Sequence, residues 1–364
     1  MSFTTEQIIN ALRTVNDPDL KKDLVTLNMI RDVRIEGMRV HFTVVLTTPA
    51  CPLKEVIRQM CVEAIHKLVD KDLQLFINMT SEVTSVRDTS PLLAGVKNII
   101  AVGSGKGGVG KSTVTSNLAV ALAKQGARVG LIDADISGPS VPTMFNCEHE
   151  QPAMIAKDGK NLIVPIEQYG VKLISIGFLT PADSAVVWRG PMASSALRQF
   201  IGDTDWGDLD YLLIDLPPGT SDIHLTLVQT IPVTGAVIVT TPQKVAVADA
   251  KKAVSMFKQA QINVPILGIV ENMAYFTPEE LPDNKYYIFG QDGGKKLAAD
   301  NGVEFLGEIP LVQSVRESGD SGLPVVMKEG KTSEAFHELA QAVARQVAIR
   351  NAQQEKTKKV EITT

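Results

Sequence analysis

Apolar positions at Ile8, Ile9, Leu12 and Val15 recur at helical spacing, and Thr4-x-x-Gln7 in front of them is a capping-box pattern. Asn16-Asp17-Pro18-Asp19 breaks that helix. The period then changes to two. Residues 30–36 and 39–46 flank Gly37-Met38, with Val40, Phe42, Val44 and Leu46 alternating along the second arm of a predicted hairpin. After Thr47-Thr48-Pro49-Ala50-Cys51-Pro52 the helical period returns in Leu53, Val56, Ile57, Met60, Cys61, Ile65, Leu68 and Val69. A last strand is expected over residues 73–79. From Lys97 onward, short apolar runs alternate with helical patterns. Strands are predicted at 99–102, 129–132, 173–176, 211–214, 236–239, 266–270 and 304–306, with a side ribbon near 162–166. The final helix, about 333–352, carries Phe336, Leu339, Ala340, Val343 and Val347 on one face.

These patterns divide the chain into a small α+β domain over 1–82, a linker over 83–96, an α/β domain over 97–350 and a polar, frayed tail over 351–364. Strand–helix alternation in the large domain implies a mostly parallel sheet with helices on both faces. The length of 364 residues fits two domains, each able to bury a core. A net charge of -5 gives no general attraction to nucleic acid or to an anionic membrane. No apolar run approaches the ~20 residues that span a bilayer, and no signal peptide opens the chain, so a cytoplasmic address is expected. Three scattered cysteines make no disulfide framework.

The chemistry concentrates in Gly103-Ser104-Gly105-Lys106-Gly107-Gly108-Val109-Gly110-Lys111-Ser112-Thr113, which contains G-x-x-x-x-G-K-[ST]. A predicted strand precedes it and a helix over 112–125 follows, the setting in which such a loop turns its N–H groups onto a phosphate chain. Lys111 would reach the β- and γ-phosphates of a nucleotide and Ser112 would ligate Mg²⁺. Two further strands end in acids. Asp133-Ala134-Asp135 places two carboxylates at i and i+2, and Leu212-Leu213-Ile214-Asp215 has the form of a Walker B acid. Pro217-Pro218-Gly219-Thr220 follows, with a glycine placed to swing toward a γ-phosphate.

The doubled-lysine loop is similar to the deviant Walker A group of dimeric ATPases that includes MinD, ParA, the arsenite pump ATPase and the nitrogenase iron protein. Asp133-Ala134-Asp135-Ile136-Ser137-Gly138-Pro139-Ser140, Trp188-Arg189-Gly190-Pro191-Met192, Asp215-Leu216-Pro217-Pro218-Gly219-Thr220 and Glu271-Asn272-Met273 narrow the resemblance to the Mrp/ApbC iron–sulfur cluster carrier ATPases. Residues 1–82 resemble the small iron–sulfur-assembly domain often fused in front of such carriers. The resemblance implies a P-loop NTPase fold, ATP and Mg²⁺, a homodimer, apoprotein clients and assembly factors, and a [4Fe–4S] cluster. It also implies site roles. Gly105, Gly107, Gly108, Val109, Gly110, Lys111, Ser112 and Thr113 hold the nucleotide, and Ser112 and Asp215 serve Mg²⁺. Asp135 orients or activates the attacking water. Lys106 reaches the partner's nucleotide, the alternative being a solvated loop lysine. Asn272 reads the adenine edge, with Pro242-Gln243 nearby.

One departure stands out. Mrp-type carriers place a Cys-Pro-x-Cys pair after the Asn-Met-x-Tyr-Phe stretch, but here Asn272-Met273-Ala274-Tyr275-Phe276 runs into Thr277-Pro278-Glu279-Glu280-Leu281-Pro282. Clusters prefer thiolates, and hard carboxylates such as Glu279 and Glu280 are poor substitutes. Of the thiols present, Cys61 lies on an apolar helical stripe. Cys147 sits two residues before His149. Cys51 is placed at a helix N-cap by Pro52 at the first helical position, where the dipole lowers a thiol's pKa; it reads either as a reactive, cluster-ligating thiol or as a buried structural one. His224 follows the Asp215 loop closely enough to sense nucleotide state, but a structural role is the favoured reading. Beside the carrier stand two other readings: a cluster-free, ATP-gated adaptor, and a positioning ATPase of the MinD/ParA type. For the latter the basic run Lys356-Thr357-Lys358-Lys359 would serve a membrane helix, or else form a solvated tail.

Overall fold

The computed structural model describes residues 3–87, 92–136, 138–157, 159–179, 190–278, 280–281 and 283–360. Ser137, Trp188, Arg189, Glu279 and Pro282, singled out above, lie outside the described residues. The chain divides into two compact units, residues 1–84 with 348–354, and residues 85–347 with 355–364.

The first unit contains α1 (Thr5–Leu12), β1 (Ile30–Glu36), β2 (Arg39–Leu46), α2 (Lys54–Leu68) and β3 (Gln74–Ser81). The expected capping box is formed: Gln7 N donates to Thr4 Oγ1 at 3.2 Å and Thr4 N donates to Gln7 Oε1 at 2.9 Å. β1 and β2 pair antiparallel around Gly37, whose φ of +64° is one that glycine adopts freely. β2 and β3 pair in parallel, with α2 as the crossover. Ile8, Leu12, Phe42, Val44, Ile57, Cys61 and Ile65 share one buried core. The α2 stripe is narrower than its spacing predicts: Val56 and Leu68 are 48% and 54% exposed. α2 also begins later than expected, with Leu53 at its N-cap. Cys51 therefore precedes the helix instead of capping it, which takes away the helix-dipole argument for its thiol.

The second unit opens with β4 (Val96–Ser104), α3 (Lys111–Lys124), β5 (Val129–Asp133) and the short α4 (Val141–Met144). A ribbon of β6 (Met154–Lys157) and β7 (Lys160–Ile163) follows, then β8 (Ile166–Gln168), β9 (Val171–Ser175) and α5 (Gly190–Gly202). The remainder is β10 (Leu209–Asp215), α6 (Asp222–Thr230), β11 (Gly235–Thr240), α7 (Lys244–Lys258), β12 (Ile266–Phe276), α8 (Gly293–Asn301), β13 (Phe305–Leu311), α9 (Gln313–Asp320) and α10 (Lys331–Gln353).

Eight strands form one sheet in the order β13-β12-β11-β4-β10-β5-β9-β8. All pairs are parallel except β8–β9, so the ribbon predicted near 162–166 divides between the separate β6–β7 hairpin and this antiparallel edge. The chain leaves β4 toward β5 on one side and later travels from β11 to β12 on the other. Right-handed crossovers in opposite directions place helices on opposite faces. β4 sits at the reversal, and ligands of open α/β sheets bind at its carboxyl end.

Two expected irregular stretches are tied down where described. In the presumed linker, Arg87 is buried and donates from Nε to Val96 O at 2.6 Å, with a second bond to Leu93 O. In the presumed frayed tail, Thr357 N bonds Val86 O at 3.3 Å and Val360 N bonds Val228 O at 3.0 Å. Phe336, Leu339, Ala340, Val343 and Val347 of α10 are all buried, as their spacing predicts.

Candidate nucleotide site

Residues 105–110 join β4 to α3 as a loop whose path depends on three glycines. Gly108 and Gly110 have φ of +81° and +79°, left-handed values that side-chain residues rarely adopt. Gly105 has a different reason to be glycine. A Cβ there would run into the α7 backbone at Asp249 and Ala250, so the loop rests directly on that helix. Gly110 caps α3, which puts the helix's positive end at the loop. Lys106 is exposed on the loop's outer surface.

The acids arrive in register. Asp215 ends β10, and its Cα pairs with Asp133 of β5 and with Val102 of β4. The Lys111 ammonium donates to Asp215 Oδ2 at 2.7 Å and to Ser112 Oγ at 3.1 Å, and it lies 3.6 Å from Asp135 Oδ2. Ser112 Oγ donates to Asp215 Oδ2 at 2.6 Å. Thr115 Oγ1 lies 2.7 Å from Asp215 Oδ1 and 2.9 Å from Lys111 O. Asp215 itself is wholly buried, so without these partners its charge would be strongly disfavoured. Burial raises the Asp135 carboxyl above its ordinary pKa, against the opposing pull of Lys111. Burial and the neighbouring Asp215 charge push Asp133 up to about 7, despite the Ser175 hydrogen bond and Lys111.

The loop after Asp215 continues along β4: Leu216 N bonds Val102 O at 3.0 Å and Gly219 N bonds Ser104 O at 2.9 Å. The Gly219 amide expected to face a γ-phosphate is thus held on the end of β4. His224 caps α6 by accepting from Ser221 N at 3.2 Å through Nδ1, and burial lowers its pKa to about 4.

Beside the loop lies a cavity of about 460 Å³, lined by Gly110, Thr113, Asn272, Met273, Pro310 and Arg316 among others. Its position and size suit the nucleoside end of a nucleotide whose phosphates lie on the loop. Asn272 is among its lining residues, and its Nδ2 donates to Val109 O at 2.8 Å, so it also braces the loop. Pro242 and Gln243 do not line it; Pro242 packs toward Gly293. Sequence reasoning missed Thr115, Pro310 and Arg316. Thr115 had a signal, four residues beyond Lys111 on the same helical face, but the other two enter only through the β13–α9 connection.

Cys61 and Cys147 are buried, and desolvation pushes both up to about 12. Cys51 is half-buried in the first unit. Among the described residues, no group of three or more His, Cys, Asp or Glu side chains is placed to hold a metal ion, and His149 does not join Cys147 in one. Nor, among them, is any helix long and apolar enough to cross a membrane.

Two families of known proteins match separate parts of the chain. A family model described as NUBPL iron-transfer P-loop NTPase matches residues 95–347, and one described as iron-sulfur cluster assembly protein matches residues 5–72. The iron-sulfur cluster carrier protein of Synechocystis sp. is 48% identical over 348 residues, spanning 95% of this chain and 97% of that one. The protein of that name from Escherichia coli strain K12 is 43% identical over 345 residues, spanning 93% and 91%. Among solved structures, a nucleotide-binding protein from Archaeoglobus fulgidus in complex with ADP is 40% identical with a TM-score of 0.57, covering 66% of this chain and 93% of that one.

Proposed function

The chain belongs to the NUBPL iron-transfer P-loop NTPase family, and on that premise we propose that it is a cytoplasmic, Mg²⁺-dependent ATPase that takes iron–sulfur clusters as cargo and delivers them to apoproteins. The observation that carries this reading is the convergence of Lys111, Ser112 and Thr115 on Asp215, next to a nucleoside-sized cavity. The iron-sulfur cluster assembly match over residues 5–72 links that engine to cluster work.

In this reading the loop amides from Gly105 to Thr113 and Lys111 hold the β- and γ-phosphates. Ser112 Oγ and Asp215 Oδ2, 2.6 Å apart, are hard oxygen donors of the kind Mg²⁺ takes. Held by these two side chains, Mg²⁺ would supply charge neutralisation at the phosphate oxygens. Asp135 orients the attacking water, and its raised pKa makes it a better proton acceptor than an ordinary carboxylate. With Nδ2 of Asn272 committed to Val109, its Oδ1 is the atom left to accept from an adenine amino group. Lys106, exposed on the loop, serves the nucleotide of a second copy in a homodimer.

The cargo is held at Cys51, the one cysteine not fully buried, with further thiolates supplied by the client or by small thiols. Anaerobic reconstitution with iron and sulfide, read by absorbance and iron count, tests this. Wild type is expected to bind a cluster and pass it to an apo-acceptor, and Cys51→Ala to lose it. A wild type that binds no cluster yet hydrolyses ATP overturns the carrier reading in favour of the cluster-free adaptor, which the burial of Cys61 and Cys147 supports. The MinD/ParA-type membrane reading has little support, because the apolar positions of α10 are already spent on the core.

A further inference from the structure

Asp133 is fully buried, and the roles above do not use it. Its carboxylate accepts from three donors. Asp135 N reaches Oδ1 at 3.2 Å, while Val141 N and Ser175 Oγ reach Oδ2 at 3.4 and 3.0 Å. Asp135 N and Val141 N lie at the two ends of the connection from β5 to α4, so one side chain grips both ends of the loop that carries Asp135. Ser175 extends the grip. Its Oγ also accepts from Gly177 N at 3.0 Å, fixing the turn after β9 that leads toward residue 190. That turn packs on the same loop, since a Cβ on Gly177 would lie 3.1 Å from Pro142 and 3.4 Å from Pro139. The loop is tied independently to the Walker acid's backbone, Ala134 N donating to Asp215 O at 2.9 Å.

In all three bonds the Asp133 oxygens are the acceptors, and the bonds from Ser175 Oγ and Asp135 N, with the Lys111 charge, favour the carboxylate against the rise in pKa that burial brings. An asparagine of the same shape would turn a donor toward either Asp135 N or the Val141–Ser175 pair, setting donor against donor. We propose that Asp133 is a positioning residue for hydrolysis, a buried acceptor junction that fixes the Asp135 loop and the turn after β9 relative to Asp215. The junction makes no hydrogen bond to Lys111 or to the loop amides and meets Lys111 only through the charge interaction, so the larger effect is expected on the chemical step rather than on nucleotide binding. A displacement of about 1 Å in a catalytic group can cost on the order of 10²-fold.

This inference rests on the ATPase reading, and its test separates the two. ATP affinity and steady-state turnover are measured for wild type, Asp133→Asn, Ser175→Ala and Ser175→Thr, with thermal unfolding as the check on folding. Asp133→Asn is expected to lower kcat by roughly 10- to 100-fold while ATP Kd stays within about threefold. Ser175→Ala should show a smaller loss of the same kind, and Ser175→Thr, which keeps the hydroxyl, should recover part of it. Unchanged kcat in a folded Asp133→Asn protein, or equal losses of binding and turnover, overturns the proposal. If Asp133→Asn does not fold, Ser175→Ala decides: reduced kcat with intact binding supports the junction, and wild-type kcat overturns it. A wild type that neither binds nor hydrolyses ATP overturns the ATPase reading itself, and this inference with it.

Discussion

At the residue scale, the roles proposed for Lys111 and Asp135 and the packing at Gly105 each give a distinct expected failure. Lys111→Ala removes the ammonium that faces Asp215 and the phosphate site, and should lower ATP affinity by about 10²-fold or more in a fluorescent-nucleotide titration. Asp135→Asn keeps the shape but loses the proton acceptor. Binding should persist while turnover falls by about 10²-fold, read from phosphate release. Gly105→Ala would force a methyl into the α7 backbone and should cost about 1–3 kcal/mol of stability together with most nucleotide binding, measured by thermal unfolding and titration. The first two residues were legible from the loop pattern and the strand-end acids. The reason for Gly105 was not, because the helix it rests on begins more than a hundred residues later.

At the scale of single elements, α6 and α10 make opposite kinds of prediction. α6 starts from a box built by Ser221 and His224, and His224 Nε2 is buried with no hydrogen-bond partner among the described residues. Burial holds the folded imidazole's pKa near 4, whereas the unfolded chain takes up the proton near 6.5. The unfolded state therefore binds more protons between those values. The stability this neutral histidine contributes is present above pH 6.5 and is lost as pH falls toward 4, on the order of 3 kcal/mol in full. The melting temperature of wild type should drop between pH 7.5 and pH 5, and His224→Gln should flatten that part of the drop. α10 is tested through its packing instead, although burial also holds its own His337 below the ordinary pKa. Its Phe336 is fully buried, and Phe336→Ala should cost about 3–5 kcal/mol in denaturant unfolding at any pH near neutral. The α10 face was readable from its period, because helical spacing and burial coincide there. The α2 stripe was not, because spacing marks positions that can face a core without saying how much core is available to cover them.

At the scale of the whole molecule, each unit buries apolar residues of its own, among the described residues around Phe42 and Ile57 in the first and around Ile99, Leu212 and Ile238 in the second. The assembly prediction belongs here. If Lys106 serves a second copy, ATP should drive a monomer-to-dimer shift in Asp135→Asn, where hydrolysis is slowed. Lys106→Ala should stay monomeric under the same conditions, read by light scattering behind size exclusion. A Lys106→Ala protein that dimerises and turns over as wild type does would remove the shared site.

What the sequence determined by itself was local and periodic: the glycine loop, the acids that end apolar strands, the alternation of strand and helix, and the absence of the cysteine pair after Phe276. Each depends on neighbours a few residues apart, where backbone preference and side-chain period act directly. What only the tertiary structure decided were relations between distant segments. Parallel strand register set Asp133 beside Asp215, helix packing made Gly105 obligatory, and β13 and α9 supplied one wall of the cavity beside the loop. It also returned the apparent tail to Val86 and Val228. Those contacts arise from how elements pack once their apolar faces are buried, and no short window of sequence contains both partners.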